Sequence, residues 1–398
     1  MSQTKVQLVE GKSDQTITGS TLTTTTATTT TLNAANLNSG AFSNRNLIIN
    51  GAMNVAQRGT QSSLSSGSPY GGCDRWKVQP SNLGTWTLDQ DGTDAPKDKG
   101  FTYCLKLDCT TADASPASGD LLVLQQGIEG YLCNQLAYGQ STAKSVTLSF
   151  WCKAEINGWS SGTKSFVAEL QAGSTTYESG NLITLTTNDT WQKVSCTFPG
   201  MTAQAQASYS NGLGITLNLW LDAGTDFTSG SLSTSWSNKS NADRAAGLNL
   251  GLGAHTDNNF FMTGVQLEAG STATDFEYRS YGDELARCQR YCVDFPINSQ
   301  LGLGQVYSGS GYVQLPVALP VPMRTKPSVT KNGSYWFNSN YGNSGYSGDR
   351  SVTVETPATG SHMYRLFVAG GSDQGNATTV WCQLHDAAGT YMRLEAEL

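Results

Sequence analysis

The chain has 398 residues, a net charge of −7 and only 14% charged residues, beside 38% hydrophobic residues and 43 glycines. An acidic chain with no Lys/Arg cluster excludes a phosphate-neutralising nucleic-acid surface, and no apolar run is long enough to cross a bilayer. Many glycines with few charges suit short strands joined by turns, in two or three domains.

The opening "MSQTKVQLVEGK" lacks the apolar core and cleavage site of a secretory signal. Residues 15–44 carry no charge, and eleven of residues 15–32 are threonine. Ile17, Leu22, Ala27, Leu32 and Leu37 recur every five residues. Threonine favours extended backbone, yet one such chain has almost nothing apolar to bury. Several copies wrapped together would share those apolar positions along an axis. A shared stalk and a flexible tether are the two readings of this leader.

From "NLIINGAMNVAQRGT" onward the chain alternates. Val146, Leu148, Phe150 and Cys152 share one face of a strand, as do Ile215, Leu217, Leu219 and Leu221; Val194, Cys196 and Phe198 make a third. Phe261, Thr263, Val265 and Leu267 follow the same period less cleanly. Many such strands predict an all-β jelly-roll sandwich over 44–282. "RSYGDELARCQRYC", residues 279–292, turns helical: Leu285, Cys288 and Cys292 follow i, i+3, i+7, and Asp283 is placed to cap the start. A linker helix over 283–295, with its apolar stripe packed on the sandwich or on copies of itself in a trimer, then leads to a C-terminal β-sandwich domain, 296–398. In "YVQLPVALPVPM" Pro316, Pro320 and Pro322 share one parity, which predicts an edge strand. The alternation in "YMRLEAEL" predicts that the C-terminus is tied into a sheet.

"NRNLIINGAMNVAQRG" with "CDRW", then "TGVQLEAGSTATDFEYRSYGDELARCQRY", then "LPVPMRTKPSVT" together resemble the tail-fibre and receptor-binding proteins of tailed bacteriophages, of the marine-phage and cyanophage type. The frame "DTWQKVSCTFPG…TGVQLEAG" resembles a carbohydrate-binding-module jelly roll. The resemblance spans residues 16–324. It implies a homotrimer whose N-terminus (residues 1–43, attachment and stalk) docks on a tail or other virion protein. Its distal end would adhere to host-surface polysaccharide. Such a protein is assembled in the host cytoplasm, carried on the virion, non-catalytic, and inserted into no membrane. A capsid-attached fibre or decoration protein without a specific receptor, and a glycan-degrading tail spike, are the alternatives.

The chemistry is sparse. Nine cysteines, at positions 73, 104, 109, 133, 152, 196, 288, 292 and 382, include no C-x-x-C and read as reduced thiols of a protein made in a cytoplasm. His255, His362 and His385 are too scattered for a zinc site or a triad. "GWSSG" around Ser160 matches a nucleophile motif, but "NG" before it and a strand after it predict a hairpin turn. Glu129, Asp222, Glu268 and Asp283 supply carboxylates, but nothing in the sequence marks a hydrolytic pair. No cofactor is expected; a structural calcium ion is open, with no ligands assigned. In "CDRW", Trp76 is read as core and Asp74–Arg75 as a local ion pair. The aromatic segment 331–350 reads as a ligand-binding loop: Tyr335, Trp336, Tyr341 and Tyr346 as stacking platforms for a sugar, Asn338 and Asp349 as hydrogen-bonders.

Overall fold

Alternating apolar residues make strands, and the strands stack into two sheets around one core. The computed structural model describes residues 44–172, 176–204, 206, 208–295, 299–307, 312–332, 335–338, 346–348, 352–355, 363–369, 379–384 and 391–398. The leader and its repeat lie outside the described residues; residues 38–398 belong to one compact unit.

The sandwich strands are β1 (Gln61–Leu64), β2 (Tyr70–Gly71), β3 (Cys73–Ser81), β4 (Thr85–Asp91), β5 (Cys104–Thr111), β6 (Leu121–Glu129), β7 (Val146–Glu155), β8 (Lys164–Ala172), β9 (Tyr177–Leu185), β10 (Gln192–Phe198), β11 (Leu213–Ala223), β12 (Ser237–Asn238) and β13 (Asn259–Ala269). One sheet has the order β1-β4-β5-β13-β7-β10, the other β12-β9-β8-β11-β6-β3-β2. This all-β jelly roll buries the predicted faces of β7 and β11 at 1% exposure or less. Each large apolar side chain so buried contributes roughly 1.5–3 kcal/mol. Phe166 of one sheet meets Phe150 and Phe260 of the other at ring-centroid distances of 6.2 and 5.4 Å.

Three local expectations change here. In β13 the core takes Phe260, Met262, Val265 and Leu267, not Phe261 and Thr263. The register slips between Thr263 and Gln266, and a bulge there moves every earlier side chain to the opposite parity. Gly264 makes it, with φ +63°; a Cβ at this glycine would lie 2.5 Å from the Phe101 ring. The "GWSSG" turn is not a hairpin, because β7 and β8 belong to different sheets; the turn crosses between them, with Gly158 and Gly162 at φ 75° and 74°. Arg75 does not pair with Asp74. Its guanidinium meets the Glu397 carboxylate and lies 3.6 Å over the Tyr291 ring, while Asp74 accepts from Gln57. Trp76 is core, as read.

The helix, α1, runs Tyr281–Gln289. Its N-cap is Ser280, whose Oγ accepts from the Asp283 amide, so Asp283 closes a reciprocal cap instead of starting the helix. Cys288 and Leu285 pack with Ile49, Val55 and Tyr291, which fixes the helix on the sandwich.

The remaining strands are β14 (Cys292–Phe295), β15 (Gln300–Tyr307), β16 (Tyr312–Ala318), β17 (Ser328–Asn332), β18 (Tyr335–Asn338), β19 (Tyr346–Gly348), β20 (Val352–Glu355), β21 (Met363–Ala369), β22 (Thr379–Leu384) and β23 (Tyr391–Glu395). They form a sheet β14-β23-β17 and a sheet β19-β18-β22-β15-β16-β21-β20 around a separate apolar cluster. β16 is not an edge strand: it lies between β15 and β21. Its ladder to β15 covers only Tyr312–Gln314, while its ladder to β21 runs through Ala318. Pro316 thus falls where β15 has stopped pairing. β23 carries the C-terminus into the centre of its sheet, as expected. Arg58 and Arg75, both buried, hold Glu395 and Glu397, and Tyr70 Oη donates to the Leu398 carbonyl at 2.7 Å. Among the described residues no helix is long and apolar enough to cross a membrane.

Candidate functional site

The groove with the most sugar-like complement lies where the first loop of the sandwich meets the start of α1. Asn50 builds that loop. Its side chain, fully buried, accepts from the Val55 amide at 3.0 Å and donates to the Val55 carbonyl at 2.8 Å, and its own amide donates to Glu284 Oε1 at 2.5 Å. Gly51 is obligatory, since a Cβ there would lie 2.1 Å from the Val265 carbonyl oxygen. The closed loop presents Asn54 at its surface.

The opposite wall is aromatic. Phe101, Phe276 and Tyr278 pack in a cluster with centroid distances of 5.0–5.5 Å, which ties the loop after Ala95 to the segment entering α1. Tyr103 and Tyr281 follow immediately on these two segments and are 37% and 59% exposed. An exposed ring beside a hollow offers a ligand a stacking face. Together Asn54, Gln57, Gln90, Thr102, Tyr103 and Tyr281 line a groove of about 660 Å³.

The polar groups there are uncharged. Gln90 Nε2 donates to the Met53 carbonyl at 2.6 Å, and Gln57 Nε2 is held by Asp74 and the Cys292 carbonyl. Both amides are thereby oriented, with their Oε1 atoms left as acceptors. Among the described residues no Asp, Glu, His or Cys lines the groove.

The carboxylates noted in the sequence each have protein partners. Glu129 receives Arg290 and the Tyr291 hydroxyl at 2.6–2.9 Å. Asp222 receives the Gly253 and Ala223 amides, and burial raises its carboxyl above the usual range. Glu268 receives Thr274 and Gln266, and Asp283 caps α1. No disulfide joins the eight described cysteines; burial pushes the Cys133 and Cys196 thiols up to about 12. His255 is half exposed beside Asp257, and His362 and His385 lie outside the described residues. Among the described residues no cluster of His, Cys, Asp or Glu is placed to hold a metal ion.

Of the six predicted binding residues, Tyr341 and Asp349 lie outside the described residues. Tyr335, Trp336 and Asn338 belong to β18 and Tyr346 to β19, so the backbone there is a strand pair where a loop was expected; Phe337 stands opposite Tyr346 in register. The tyrosine groove was missed. Its one sequence signal was Tyr281, beside the cap in "RSYGDEL", a large ring at a position with no apolar periodicity.

No protein-family model matches the chain, and no curated protein is similar to it. Among solved structures, an arabinose-bound GH51 α-L-arabinofuranosidase is similar over 58% of this chain and 28% of its own, at 13% identity and TM-score 0.29. The enzymatically active domain of tailspike protein 4 of bacteriophage CBA120 is similar over 56% and 21%, at 12% identity and TM-score 0.26. The tandem CBM22 domains of Paenibacillus barcinonensis Xyn10C are similar over 88% and 98%, at 11% identity and TM-score 0.26. The chain thus spans about a quarter of the first two. At these values the likenesses carry no functional inference.

Proposed function

We propose that the chain is a non-catalytic fibre protein of a bacteriophage virion, a homotrimer anchored by its N-terminus, that adheres to host-surface glycan. The observation that carries the adhesive reading is the groove of Tyr103 and Tyr281 with Asn54, Gln57, Gln90 and Thr102. A pyranose ring presents C–H groups that stack on an aromatic face, and its hydroxyls suit amide donors and acceptors. An uncharged lining selects a neutral polyol, and the fixed amides give orientation without a further ordering cost.

The same lining supports adhesion over turnover. Glycoside hydrolysis needs two carboxyl groups flanking the bond, and among the described residues none lines this groove. Weak binding at one groove is raised when three copies per fibre engage one surface. The test is incubation of the purified protein with host-surface polysaccharide, reading both co-sedimentation and reducing-sugar release. Binding without release supports an adhesin. Release at a rate above buffer overturns the non-catalytic reading in favour of a spike, and neither binding nor release favours a structural fibre or capsid decoration.

A further inference from the structure

A second groove, of about 640 Å³, runs along α1 and is charged: Arg279, Arg287 and Arg290 line it together with two carboxylates, Glu277 and Asp283, beside Asn44 and Ser280. Two of the three arginines are neutralised. Arg279 lies 3.2 Å from Glu277 and 3.5 Å from Glu284. Arg290 makes a two-pronged pair with Glu129 at 2.9 and 2.6 Å. Arg287 is different. Half-buried, it donates to Asn44 Oδ1 at 2.7 Å, and among the described residues no carboxylate stands within ion-pair distance of it. Asp283, one turn earlier on the same helix, is turned onto Ser280 Oγ at 2.7 Å instead. Burial, then the neighbouring charge of Arg279, makes the Arg287 guanidinium easier to deprotonate than usual, and the more distant carboxylates of Glu284, Glu277 and Asp283 offset this only in part.

A half-buried cation whose one contact is a neutral amide keeps part of its desolvation cost, and an anion entering the groove offsets that cost. We propose that this groove binds the oxyanion group of a ligand, a sulfate or a carboxylate, with Arg287 as its principal contact. The planar guanidinium matches either group in two-pronged geometry. Asn44 Nδ2, which makes no hydrogen bond to a described residue, is a second donor. The proposal is independent of the tyrosine groove.

The test is titration calorimetry of the full chain at low ionic strength with inorganic sulfate, galactose 6-sulfate, galacturonate and galactose. The anions bind, more weakly as salt is added, and the stronger of galactose 6-sulfate and galacturonate names the oxyanion. Arg287→Gln lowers anion affinity about tenfold or more, the scale of a charge-assisted hydrogen bond, whereas Arg287→Lys retains most of it. Asp283→Asn keeps the Ser280 contact and tightens binding by removing a nearby negative charge. Tyr103→Ala/Tyr281→Ala leaves it unchanged, so each groove is judged separately. Failure of all three anions to bind, or equal anion affinity in Arg287→Gln, overturns the proposal.

Discussion

Arg75 has a left-handed backbone, at φ 72°, and a guanidinium clamped between the Tyr291 ring and Glu397. Removing one partner of a buried pair strands the other. Arg75→Ala should therefore cost about 3 kcal/mol in urea unfolding, the low end for buried pairs, because Arg58 still reaches Glu397 at 3.0 Å. Glu178 makes a pH prediction. Its Oε1 accepts from the Ser240 amide at 3.0 Å and its Oε2 has no hydrogen-bond partner. Burial, then the charge of Glu169, raises its carboxyl to about 7. The folded chain thus keeps a proton that the unfolded chain releases near its usual 4.5. Stability from this group is complete below that value and is lost as pH rises towards 7. Glu178→Gln should flatten the decline of Tm across that window and leave Tm above wild type at neutral pH. At this scale the sequence was partly readable. Trp76 could be placed in the core because it is a large apolar ring, and it lies inside β3. The partner of Arg75 could not, because it lies 322 residues away.

At the scale of elements, period-two alternation in β7 and β11 identified core faces correctly because both strands are buried on that side along their length. β13 broke the rule at a single bulge, and β16 broke it because edge status depends on where a neighbour's ladder ends. The first cause is one glycine inside the strand that alternation does not mark as a bulge, and the second lies in the neighbouring strand. The tyrosine groove was illegible for a related reason: its walls come from four separated segments, around residues 54–57, 90, 102–103 and 281, and the last arrives only when α1 docks. β23 tests the C-terminal docking. Met392 and Leu394 are fully buried and β23 pairs with strands on both sides. Deleting residues 391–398 should abolish protease resistance of 292–384 while the sandwich stays resistant, as limited proteolysis with mass spectrometry would show. Unchanged resistance would mean that β14 and β17 hold without it.

For the whole molecule, the fibre reading joins an uncharged leader of five-residue period to an acidic all-β body. Light scattering of the full chain should give a mass near three times 42.3 kDa; a monomer mass would leave the leader a tether. The adhesive claim rests on the tyrosine groove, and a glycan array decides it most directly, with wild type, Tyr103→Ala/Tyr281→Ala and Tyr341→Ala/Tyr346→Ala compared at equal Tm. The account predicts that wild type binds neutral glycans and that Tyr103→Ala/Tyr281→Ala loses at least about tenfold in apparent affinity, the scale of one or two lost ring contacts. Full binding by that variant, with loss confined to Tyr341→Ala/Tyr346→Ala, would contradict it and move the site to the C-terminal strands.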